Sequence, residues 1–235
     1  ADLYDEQAQA FWHGRLAVDP AIPGPEGVVV GGKPYLYYGP FLSLVRMPLM
    51  LFGDLFVGRL VRVSMLIAVV VLCRWSARLA RAGRAVIRSA TTTNPVDDRW
   101  VLGLFTAAVA FSPALFAAGW ISVYNETELW ALTLAVIGFA LIAEWAASGF
   151  ADRRLLLGAS AAALAATLTR APIGLGVSIA LIACGGVLLW RSRTTGFDRG
   201  RSALLGGLLP IVAHVVVNFA KFGTLTSVPG DRQLL

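Results

Sequence analysis

Asp5 and Glu6 stand side by side in DLYDEQAQAFWHGRL, the most polar stretch of an otherwise apolar chain. A carboxylate can take a proton from a hydroxyl nucleophile or hold it for attack. A second acid beside it can raise its pKa or orient it. Paired acids also occur in ordinary surface loops, so the pair gains meaning only with partners. Several partners exist. Lys33 precedes Tyr35, Tyr37 and Tyr38 in GGKPYLYYGP. Lysine meets phosphate as a point charge, and tyrosine rings stack on sugar faces. The competing reading is an aromatic belt with a snorkelling lysine. Tyr124, Asn125 and Glu126 fall in SVYNETE, where an acid at the mouth of a span is costly unless solvated or paired. Arg170 closes LAATLTR; its guanidinium can clamp a phosphate with two donors or simply snorkel from a helix end. Asn218 and Lys221 lie in NFAKFG. His13 and His214 stand alone, and no His or Cys cluster has metal-ligand spacing. No metal ligand and no cofactor is assigned, and a divalent cation beside the acids is left open.

Positioning these groups falls to the apolar remainder. Of the 235 residues, 57% are hydrophobic and only 14% charged, with a mean hydropathy of +0.70. Soluble domains carry about 25% charged residues. The expected fold is all-α: a polytopic transmembrane helical bundle of about six spans. Apolar runs place the spans near 60–80, 100–119, 129–147, 155–169, 172–190 and 203–220. Residues 1–58 form an extracytoplasmic loop with interfacial helices, and 59–235 the bundle. FLSLVRMPLMLF, at 41–52, is too short to span and reads as a helix in the interface. In DEQAQAFWHGRL, helical spacing sets Ala8, Phe11, Trp12 and Leu16 on one apolar side, as in an amphipathic helix at the membrane surface. The small residues of GASAAALAA (158–166) suit close helix packing.

Charge gives direction. The net charge of +6 hints at nucleic acid, but most basic residues sit between spans, so no nucleic-acid partner is expected. Twelve of the twenty lie in 74–99, 148–154 and 191–201. Those three segments share one side, and the positive-inside rule makes it cytoplasmic. Arg74, Arg78, Arg81, Arg84 and Arg88 form a stripe at helical spacing, explained by topology and anionic lipid. The chain is therefore expected in the cell membrane as a multi-pass protein. Asp5, Glu6, Lys33, the 122–128 loop, Arg170 and Lys221 are expected to meet at the outer face.

The stretch YDEQAQAFWHGRLAV, with GGKPYLYYGP and LFGDLFVGRL, resembles the opening of GT-C superfamily glycosyltransferases. Protein O-mannosyltransferases and lipid A aminoarabinose transferases are the nearest. Those families have an acidic motif in the first outer loop, then a Lys-Pro run, an interfacial helix and a Phe-Gly…Arg-Leu start to the next span. Here these match Asp5-Glu6, Lys33-Pro34, 41–52, and Phe52-Gly53 with Arg59-Leu60. VYNE, LTR and NFAKFG look like blocks of bacterial members. The resemblance implies transfer of a sugar from a polyprenyl-phosphate donor in the bilayer to an acceptor at the outer face. It implies Asp5 as base with Glu6 assisting, and Lys33, Arg170 and Lys221 on the donor phosphate. Tyr35, Tyr38, Tyr124, Asn125 and Glu126 would line the substrate site. It also implies a span before the acidic loop and a soluble carboxy-terminal domain, so the chain is expected to be a fragment. Two other classes compete: a transporter or flippase of lipid-linked saccharides, and a non-catalytic membrane subunit. A transporter should carry ionisable residues near the midplane, where only His214 comes close.

Overall fold

The computed structural model describes residues 3–21, 26–90, 103–108, 122–191, 195–226 and 228–229. The chain opens with helix α1 (Leu3–Trp12), strands β1 (Gly27–Val30) and β2 (Lys33–Leu36), helix α2 (Phe41–Arg46) and a 3-10 helix (Met47–Leu55). Five long helices follow: α3 (Leu60–Ala90), α4 (Val123–Ala147), α5 (Arg153–Thr169), α6 (Ala171–Arg191) and α7 (Thr195–Phe222).

Four helical stretches are long and apolar enough to cross a membrane: Leu60–Val86, Tyr124–Ala147, Ala171–Arg191 and Phe197–Phe222. The all-α membrane fold therefore stands, while the expected six spans reduce to four among the described residues. The expected span at 155–169 is a helix, α5, of only 17 residues. At 1.5 Å per residue it reaches about 25 Å, short of the ~30 Å hydrocarbon core. The expected span at 100–119 lies outside the described residues except for a short helical piece at 103–108.

α4 is the hub. Ser122 caps it, its side chain accepting from the Asn125 N–H at 3.2 Å. One face of α4 packs Leu129 and Val136 against Met65, Ala68 and Leu72 of α3. Another carries Ala135, Leu141 and Trp145 into a core with Leu156, Ala159 and Ala163 of α5, Val177 and Leu181 of α6, and Ala203 of α7. Ala159, Ala162, Ala163, Ala165 and Ala166 of α5 are buried, as the small-residue run predicts: they let the helices approach closely.

At the end away from α1, Arg78 Nη2 donates to Glu144 at 2.7 Å, and Arg199 donates to the Gly149 carbonyl at 3.3 Å. α3 has 31 residues, about 46 Å, longer than the ~30 Å of a hydrocarbon core.

Two features of the amino-terminal segment go beyond the expected helix at the membrane surface. In α1 the buried residues are Tyr4, Asp5, Gln7, Ala8 and Ala10, while Trp12 and Leu16 are largely exposed. The inward face is set by Asp5 and its partners rather than by the aromatic spacing. The polar run after it holds an antiparallel hairpin, with Val28 opposite Tyr35 and Val30 opposite Lys33. Its two-residue turn is Gly31-Gly32, with φ of 58° and 74°. Both are left-handed values that only glycine adopts freely, as such a tight turn requires.

Candidate functional site

Two polar clusters form where the amino-terminal segment caps the bundle. The first joins α1, α2 and α4. Arg46, at the end of α2, donates Nη1 to Asp5 Oδ1 at 3.0 Å. Its Nη2 donates to both Glu126 carboxylate oxygens, at 2.6 and 2.8 Å. The second oxygen of Asp5 accepts from the Gly58 N–H at 2.8 Å. Asp5 and Glu126 are fully buried and Arg46 is 4% exposed. The Arg46 guanidinium also lies 5.3 Å from the Tyr4 ring centre, and the Tyr4 hydroxyl is hydrogen-bonded to Thr127 Oγ1. Ser43 donates to Gln7 Oε1 at 2.7 Å, adding a second tie between α1 and α2. Burying these charges is tolerable because the two carboxylates share the Arg46 guanidinium and hydrogen bonds complete the cluster.

The second cluster centres on Arg170, between α5 and α6. Its Nε lies 2.6 Å from Glu128 Oε1. Its other nitrogens donate to the hydroxyls of Tyr37 and Tyr124, each at 3.1 Å. Tyr124 and Glu128 are one helical turn apart on α4, so both face Arg170. Burial opposes the charge of Arg170, but Tyr37, Glu128 and Tyr124 outweigh it and hold its pKa above the ordinary arginine value. Burial pushes the Tyr37 phenol up, against the pull of Arg170.

Lys221, near the end of α7, is 3% exposed. Its ammonium donates to the backbone carbonyls of Leu36 at 2.8 Å and Tyr38 at 2.7 Å. Among the described residues no carboxylate lies within ion-pair distance of it.

Between the 37–40 segment and helices α5, α6 and α7 lies a cavity of ≈ 420 Å³. Arg170, Lys221, Tyr38 and Thr167 supply polar groups to its wall; Leu175, Ile211 and Val215 are among its apolar lining. His214 and Asn218 also line it, one helical turn apart on α7. Tyr38 Oη and Thr167 Oγ1 are buried with no hydrogen-bond partner. Burial first, then the nearby Glu26 carboxylate, drives the Tyr38 phenol well above its usual range. Gly39 makes the narrow wall possible: a Cβ there would collide with the Leu168 carbonyl oxygen at the end of α5.

The predicted residues thus separate. Arg170, Lys221 and Tyr38 line the cavity, and Tyr124 holds Arg170. Tyr35 packs edge-on to Phe222, ring centres 6.2 Å apart. Asn125 is buried in the first turn of α4. Asp5 and Glu126 belong to the Arg46 cluster and do not line the cavity. Tyr4 and Tyr38, ring centres 5.9 Å apart, stand between the two places. Glu6 is partly exposed on α1, and burial, with Asp19 and Asp5 adding to it, raises its carboxyl above 4.5. Lys33 is exposed at the start of β2 and does not touch the cavity.

Arg46 was not expected in a site. Its signal was a charge inside the apolar run FLSLVRMPLMLF, which a purely interfacial helix does not need. Thr167 gave no signal beyond a hydroxyl in an alanine-rich helix. Among the described residues no group of three or more His, Cys, Asp or Glu side chains is arranged to hold a metal ion. No protein-family model, no curated protein and no solved structure matches this chain.

Proposed function

We propose that this chain is the membrane part of a GT-C-type glycosyltransferase, taking a sugar from a polyprenyl-phosphate donor and passing it to an acceptor at the outer face. One observation carries the reading: a cavity lined by the buried Lys221, the half-buried Arg170, two residues with unsatisfied hydroxyls, and apolar side chains. Ile211 and Lys221 both line it, ten residues apart on α7, so it extends about 15 Å along that helix. That shape suits an anionic head group on a lipid tail.

In the reaction, a base takes the proton of the acceptor hydroxyl and the freed oxygen attacks the anomeric carbon. The bond from that carbon to the phosphate oxygen breaks. Its electron pair leaves with the phosphate, which goes from diester to monoester and gains one negative charge. Fixed cations beside it favour that change more than they favour the donor. Of the two neighbouring acids, Asp5 is committed to Arg46 and Gly58. Glu6, with its carboxyl raised by burial, is the better proton acceptor. The tyrosine layer between acids and cavity means that the 37–40 segment must shift for transfer to occur.

The alternative is a carrier for the same lipid, favoured by His214 in the cavity wall. Reconstituting the intact protein with a polyprenyl-phosphate sugar and an acceptor separates them. Transfer that is lost in Glu6→Gln while donor binding persists supports the enzyme. Wild-type transfer by both Asp5→Asn and Glu6→Gln, or lipid translocation with no transfer, overturns it.

A further inference from the structure

We infer that the head group is seated by Lys221 with the hydroxyls of Thr167 and Tyr38, and that this seat selects a single negative charge. The claim rests on the proposed function only for the nature of the lipid; the charge count stands on the geometry.

Two cations border the cavity, and they are not equivalent. Arg170 is already matched by Glu128 at 2.6 Å and by two tyrosine hydroxyls. Its planar fork is committed, so it brings little net charge to the cavity. Among the described residues Lys221 is held only by neutral backbone carbonyls. A buried ammonium with no opposing charge is costly, and an anion placed beside it removes that cost. Its remaining N–H can point at a ligand while the other two stay on Leu36 and Tyr38.

The hydroxyls support the same seat. Thr167 and Tyr38, both lining residues, are 1% and 2% exposed, and each holds a buried hydroxyl oxygen with no partner within hydrogen-bond distance, that of Tyr38 near the Glu26 carboxylate. Native proteins rarely leave such groups unpaired, and each is a donor that an anionic oxygen would satisfy. The first turn of α6, with Ala171 and Pro172 on the wall, adds the positive end of a helix dipole.

Among the described residues that line the cavity none is a carboxylate; Glu26 acts on the Tyr38 phenol from outside that lining. With Arg170 balanced by Glu128, the seat offers one positive charge. A phosphodiester carries one negative charge and is neutralised there. A lipid diphosphate carries more, and the surplus would be buried unpaired. Lys221 is therefore the specificity-determining residue, and Arg170 a positioning residue that holds Tyr37 at the cavity rim.

The test uses the intact protein in nanodiscs without acceptor, so that binding is read apart from transfer. The probes are farnesyl methyl phosphate, farnesyl diphosphate, farnesol and inorganic phosphate, measured by calorimetry and thermal shift. The phosphodiester is expected to bind at least tenfold more tightly than each of the others. Lys221→Gln is expected to abolish that preference. If Lys221→Gln does not fold, Thr167→Val with Tyr38→Phe is expected to weaken the phosphodiester at least fivefold and leave farnesol unchanged. The inference is overturned if farnesyl diphosphate binds as well as the diester, if inorganic phosphate does, or if the variants bind like wild type. Diester binding without sugar transfer would sink the transferase and leave the seat; transfer from a diphosphate donor would do the reverse.

Discussion

Arg46 and Glu126 lie eighty positions apart in sequence, yet one guanidinium nitrogen of Arg46 reaches both carboxylate oxygens of Glu126, at 2.6 and 2.8 Å. Through the same side chain Asp5 is drawn in at 3.0 Å. Three elements, α1, α2 and α4, are thereby pinned at one buried point that the bundle core does not reach.

Removing that pin leaves two carboxylates buried without their cation. Arg46→Ala is expected to destabilise the protein by about 3–5 kcal/mol. Arg46→Lys keeps the charge but loses the forked geometry and should fall between. Thermal or denaturant melts in detergent check this; an Arg46→Ala melt indistinguishable from wild type refutes it.

Gly39 and Gly83 offer a paired experiment. A Cβ at Gly39 strikes the Leu168 carbonyl, whereas at Gly83, inside α3, nothing lies within 4 Å. Gly39→Ala is expected to cost about 1–3 kcal/mol or more through overpacking. Gly83→Ala should gain about 0.5–1 kcal/mol from helix propensity. The same melts report both signs, and equal responses would contradict the close approach.

Glu6 sets a pH dependence. Its folded carboxyl titrates above the ordinary 4.5, mainly through burial. The folded state therefore binds the proton more tightly than the unfolded chain. Stability from this group is full below about pH 4.5 and declines as pH rises through the folded value. Glu6→Gln should match wild type in acid and become the more stable protein toward neutrality. A melting difference that is flat from pH 3.5 to 7 would contradict the shift.

Lys33 and Arg170 should part company. Lys33 is exposed on the hairpin, so Lys33→Gln is expected to leave phosphodiester affinity within twofold of wild type. Arg170→Gln strands Glu128 and frees Tyr37 and Tyr124, and should weaken binding at least fivefold and lower the melting temperature. Calorimetry on both variants decides, and a loss at Lys33 would return it to the phosphate site.

The long apolar runs made the helices legible, because twenty or so apolar residues in water have few other options. The start of α6 and the end of α7 fall within two residues of the expected bounds, and with them the shared end for Arg170 and Lys221, whereas α7 begins eight residues earlier than its apolar run. Less visible was anything decided by partners far along the chain. The burial of Asp5 depends on Arg46, 41 residues away, and no local period announces it. Trp12 and Leu16, expected on the apolar side of a helix at the membrane surface, are exposed, while Asp5 and its partners define the opposite, buried side. Lys33 was grouped with the tyrosines by proximity. In a strand, neighbours point to opposite sides, so Pro34 and Leu36 turn inward while Lys33 faces outward. The Gly-Gly turn after three valines was the available sign of that hairpin.

The ammonium that waits in the cavity is also the clasp of the strand above it, since Lys221 grips the Leu36 and Tyr38 carbonyls. Loading and fastening are then one event: an anion on the third N–H of Lys221 steadies the ammonium that holds the end of β2. A fluorophore at the exposed Gly31-Gly32 tip would sense from outside whether the chamber beneath is full.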